Sequence, residues 1–103
     1  MITKGKPMTN QSDAQREGQN IKAVVEYLEK EFDQFTVTVD SDGARIDRIF
    51  TVRERTTVYK LQVARPRLTD REYTPEKIKK LLKRDRVSKK MIEMNGQIFM
   101  WGR

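Results

Sequence analysis

A change of hydrophobic period between residues 32 and 37 constrains this chain more than any other feature. Ile21, Val24, Val25, Leu28 and Phe32 fall at i, i+3, i+4, i+7 and i+11, a stripe that only a helix gathers onto one side. Phe35, Val37 and Val39 then alternate with Thr36 and Thr38, the period-two pattern of a half-buried, β-branched strand. Glu26, Glu29, Lys30 and Glu31 take much of the opposite helix face. The first helix is expected from about residue 20, or as early as 13, to about 33. Ser12 and Gln15 have capping-box spacing for the earlier start. Gly18 weakens that extension by roughly 1 kcal/mol against Ala, and Asn20 is a good N-cap for the later start.

Strand signals continue. Asp40-Ser41-Asp42-Gly43 is turn chemistry. A second strand is expected at residues 45–53 with Ile46, Phe50 and Val52 on one face and Ile49 out of phase, which invites a bulge or a second contact face. Glu54-Arg55 forms a tight turn into a third strand at residues 56–63, with Thr57, Tyr59, Leu61 and Val63 on one face. Such short connections favour an antiparallel meander. Residues 64–73 read as a long loop held by Pro66.

Thr74-Pro75 opens a second helix, with Thr as N-cap and Pro at its first position. Ile78, Leu81 and Leu82 form its buried stripe, and its end is expected near residue 85. Asn95-Gly96 has two readings. Between 91–94 and 97–101 it resembles a type I′ hairpin turn, the favoured reading. Alternatively, Ser88 caps a short helix that Asn95-Gly96 ends in a left-handed C-cap, leaving 98–101 as a strand.

The expected fold is therefore two-layer α+β: a helix, a three-stranded antiparallel meander, a helix, then a C-terminal hairpin or a short helix plus strand. At 103 residues there is room for one domain, expected at 12–103 behind a disordered tail at 1–11. Met8 heads an alternative start. No apolar run approaches the roughly 18 residues of a membrane span, and residues 1–20 lack the apolar centre of a signal peptide. With no cysteine, disulfide and thiolate chemistry are excluded and a cytoplasmic setting is expected. With no histidine, imidazole bases and ligands are excluded too.

Enzyme motifs fail on inspection. A D…(D/E)-x-K nuclease pattern running from Asp47 needs an acid two positions before Lys60, where Val58 stands. Asp40-Ser41-Asp42-Gly43 lacks the third acid of a calcium loop, and Thr51 occupies the twelfth position where that loop has Glu. The glycines form no phosphate loop. A non-enzymatic protein with no cofactor, metal or small-molecule substrate is expected.

Charge supplies the functional lead. Residues 1–50 carry a net charge of −2 and residues 51–103 carry +9. The excess concentrates in Lys77, Lys79, Lys80, Lys83, Arg84, Arg86, Lys89 and Lys90. At 100° per residue, Lys77, Lys80 and Arg84 flank one edge of the apolar stripe, and Lys79, Lys83 and Arg86 lie on the exposed side. Arg65, Arg67 and Arg71 in the preceding loop add guanidinium groups suited to bidentate phosphate contact. These features point to the phosphate backbone of DNA or RNA. Solvated lysine faces are also common, and the basic residues of the last turn complement the helix dipole. The aromatic and glycine pattern of an RNA-reading sheet is missing.

The order helix, three strands, helix resembles that of the double-stranded-RNA-binding domain. In that domain the second helix opens on a Lys-Lys-x-Ala-Lys type pattern that contacts phosphates. Lys77-Ile78-Lys79-Lys80 has no alanine and a different spacing, so the likeness is one of element order. The rival expectation is a protein-interaction module or homodimer. Its surface would be the acidic first helix or the apolar segment Met91, Ile92, Met94, Ile98, Phe99, Met100 and Trp101.

Overall fold

The structure, a computed structural model, describes residues 13–41 and 47–102. Helix α1 (Asp13–Glu31) leads into strands β1 (Thr36–Ser41), β2 (Arg48–Glu54) and β3 (Thr57–Val63). Helices α2 (Arg65–Thr69), α3 (Pro75–Arg84) and α4 (Val87–Glu93) follow, then strand β4 (Ile98–Trp101). The sheet order is β1-β2-β3-β4. The first three strands form the expected antiparallel meander, whereas β4 runs parallel to β3. A parallel neighbour needs a crossover rather than a hairpin, and α2, α3 and α4 supply it. The expected tail at 1–11, Ser12, the Asp42-Gly43 end of the turn and Ile46 lie outside the described residues.

Burial follows strand alternation. Phe50 and Val52 of β2, Leu61 and Val63 of β3, and Trp101 of β4 share one buried face. Val24, Leu28 and Phe32 of the first stripe pack on it with Ile78, Leu82, Val87 and Met91. The opposite sheet face carries Thr38, Ile49, Thr51, Lys60, Ile98 and Met100, and none of them is buried. Ile49 is out of phase for this reason and not because of a bulge, since β2 pairs without interruption along its length.

Three local expectations are corrected. Asn20 does not cap a helix: α1 is already under way there, and the side chain is fully buried. Its Nδ2 donates to the Leu68 carbonyl at 2.8 Å and the Tyr73 carbonyl at 3.0 Å. Residues 64–73 are not all loop. The buried Asp47 carboxylate accepts the Arg65 N–H at 3.1 Å and a Gln62 amide hydrogen at 3.0 Å, opening the short helix α2. Pro66 fits its first turn because no N–H is needed there.

The favoured hairpin at Asn95-Gly96 is replaced by the alternative, helix α4 followed by β4. Asn95 and Gly96 both take positive φ, 53° and 93°. A type I′ turn and a left-handed helix exit make that same demand, so the dipeptide cannot separate them. What decides is Val87 and Met91, buried four residues apart on a helix that covers β3 and β4. Ser88 is not the cap: Arg86 occupies that position. The Ser88 N–H instead donates to the Tyr27 hydroxyl at 3.0 Å and its hydroxyl donates to Glu31 at 2.9 Å, tying α4 to α1.

Candidate nucleic-acid interface

Helix α3 carries most of the cations and sorts them by direction. The Thr74 hydroxyl accepts the Lys77 N–H at 3.1 Å, Pro75 sits in the first turn, and Ile78 and Leu82 are fully buried. These anchors fix where every lysine points. Lys79, expected on the exposed side, turns toward α1, where its Nζ meets Glu26 Oε1 at 2.6 Å. That hydrogen bond holds the Glu26 carboxyl below the usual carboxylate range, the Lys79 charge adding to it. Arg84 pairs with Asp85 at 2.9 Å. Its hydrogen bond lowers the Asp85 pKa, partial burial opposes, and the Trp101 indole N–H at 2.9 Å lowers it further.

The loop arginines separate. Arg67 is half-buried, with its guanidinium 4.5 Å from the Trp101 ring centre and 5.2 Å from that of Tyr73. Such stacking fills the guanidinium face with aromatic carbon. Gly102 packs on this side chain so closely that a Cβ would fall 3.1 Å from the Arg67 Cβ. Arg65 is half-buried at the start of α2, and Arg71 is exposed. Lys77 lies 5.5 Å from the Tyr73 ring centre and Lys90 lies 5.9 Å from that of Phe99.

Four cations form the middle of an exposed basic set on α3 and α4. Lys80, Lys83, Arg86 and Lys89 are exposed, and none has an acidic partner within 4.0 Å among the described residues. Lys80 follows Ile78 by two positions on α3 and falls on its far side, Lys83 borders the groove that Glu26 and Glu31 of α1 also line, Arg86 joins α3 to α4, and Lys89 follows on the first turn of α4. Lys90, Lys77 and Arg71 extend this set at its margins. Residues 65–93 carry eleven Lys/Arg against five Asp/Glu, so the outer potential is positive. Arg86 has φ 51° and ψ 49°, a left-handed conformation at a helix exit where glycine is the usual residue. Sequence reasoning found Arg86 by charge but had no signal for its backbone.

The apolar C-terminal segment is also divided. Met91 and Trp101 are buried and Phe99 packs against the core, whereas Ile92, Ile98 and Met100 are exposed. Comparison with protein families, curated proteins and solved structures finds no match for this chain. Among the described residues no helix is long and apolar enough to cross a membrane.

Proposed function

We propose that this protein binds the phosphate backbone of nucleic acid, without catalysis, through the outer surface of α3 and α4. One observation carries the proposal: Lys80, Lys83, Arg86 and Lys89 stay exposed and without an acidic partner among the described residues, while Lys79 meets Glu26, Arg84 meets Asp85 and Arg67 stacks on Trp101. Glu26 of α1 is already paired with Lys79, and no acidic residue of α1 forms an ion pair with these four cations among the described residues. Lysines without internal partners are free to displace the counterions condensed on DNA or RNA, and each phosphate contact contributes to a salt-dependent affinity. Contacts from Lys80, Lys83, Arg86 and Lys89 to phosphates make affinity rest on charge, so the sequence of the nucleic acid matters little. A cytoplasmic chain fits this role.

The test is fluorescence anisotropy with labelled mixed-sequence duplex and single strands. About five phosphate contacts give a slope near −4.5 in log K against log salt, a loss of several hundredfold between about 50 and 200 mM. Lys83→Glu with Arg86→Glu and Lys89→Glu abolishes binding on this account, whereas Arg55→Glu in the β2–β3 turn changes it little. No binding by the natural protein at about 50 mM salt overturns the proposal.

A further inference from the structure

One edge of the sheet has no second neighbour among the described residues. β1 is its first strand, and no described backbone group outside β2 bonds to it. Edge strands are normally blunted by Lys, Pro, a bulge or shortness. β1 has none of these. It is six residues long, pairs with β2 without interruption, and its only charged residue is Asp40. Thr36, Val37, Thr38 and Val39 are four consecutive β-branched residues, the type best suited to cross-strand pairing. The opposite edge differs, since β4 has only four residues.

We infer that β1 pairs antiparallel with β1 of a second copy of this chain, joining the two four-stranded sheets into one of eight strands. Pairing two identical edges about a two-fold axis makes a closed dimer that uses up both β1 edges and leaves only the short β4 strands at the outer edges. The sequence is self-complementary in that geometry. Centred on Thr38, the register sets Thr38 opposite Thr38, Val37 opposite Val39 and Thr36 opposite Asp40 of the second copy. No like charges meet. Val37 and Val39, with Phe35 just before the strand, are only half-buried at the margin of the core. A second β1 beside them covers the side that α1 leaves open. The two-fold axis runs perpendicular to the joined sheet, so both helical layers lie on the same side. Six or seven strand spacings set the two α4 helices about 30 Å apart. That distance is close to the roughly 34 Å of one duplex turn.

The test is native mass spectrometry and sedimentation velocity without nucleic acid, so its failure is separable from failure of the nucleic-acid proposal. The expected mass at tens of micromolar is twice the 12.2 kDa of one chain. Thr38→Lys sets two cations directly opposite each other at an exposed edge position and weakens dimerisation by at least about tenfold, with an unchanged circular dichroism spectrum. The chain has no cysteine, so Thr38→Cys reports the register directly. It forms a disulfide-linked dimer under mild oxidation much faster than Thr56→Cys in the β2–β3 turn. A monomer at every concentration up to about millimolar, or a dimer indifferent to Thr38→Lys, overturns the inference.

Discussion

Arg86→Gly is expected to make the protein more stable and a poorer binder at once. Arg86 has φ 51° and ψ 49° between α3 and α4. A side chain in that left-handed region costs roughly 1–2 kcal/mol, which glycine avoids. Glycine's greater freedom in the unfolded chain returns roughly 0.5–1 kcal/mol of this. The Arg86 side chain makes no capping hydrogen bond to α4 and has no acidic partner among the described residues. Nothing else of note is lost from the fold. The net gain is about 0.5–1 kcal/mol, or an increase in Tm of about 2–8 °C for a domain of this size. Binding moves the other way. Loss of one phosphate contact flattens the salt dependence of log K by roughly 0.9. Thermal melts and anisotropy titrations at several salt concentrations read the two effects. Arg55→Gly is the control, because Arg55 also has positive φ, 55°, but lies in the β2–β3 turn. It should gain stability and bind as the natural protein does. A lower Tm for Arg86→Gly refutes the backbone reasoning, and an unchanged salt slope removes Arg86 from the interface.

Other perturbations separate the supports of the fold. Gly18→Ala should stabilise by about 0.4–1 kcal/mol in urea denaturation, because Gly18 lies inside α1 with nothing within 4 Å of an added Cβ. Asn20→Ala leaves the Leu68 and Tyr73 carbonyls without their donor, at a cost of about 1–3 kcal/mol. Its amide hydrogen exchange should accelerate first in residues 65–73. Asp85→Asn should change the acid limb of stability. Folding lowers the Asp85 pKa, so its contribution is full above the unfolded value of about 3.9 and is lost as pH falls through the lower folded value. The Asn variant should be the less stable protein at neutral pH, and its deficit in Tm should shrink below about pH 4.

The α+β architecture was legible because Val24, Leu28, Phe50, Val52, Leu61 and Val63 obey their periods and are all buried. The readable part stops where polar side chains take structural work. Asn20 looks like a cap in sequence because Asn is good at caps, and only a partner 48 residues away turns it into a clamp. Residues 64–73 look like loop because nothing local announces that Asp47 will accept the Arg65 N–H across 18 residues. Asn95-Gly96 was ambiguous because two structures ask the same dihedrals of it. In the candidate site, charge was readable and engagement was not. Arg67 reads as a free guanidinium until Trp101 and Tyr73 close on it. Lys79 and Lys83 look equivalent until one of them meets Glu26.

The central claim is that the outer surface of α3 and α4 contacts nucleic acid. It is tested most directly by titrating isotopically labelled protein with a short duplex and following backbone amide shifts. Saturable shifts are predicted at Lys80, Lys83, Arg86, Lys89 and Lys90, reversed by raising the salt concentration, with β1 and the open sheet face unmoved. Shifts centred on Thr51, Lys60, Ile98 and Met100, or none at low salt, contradict the claim.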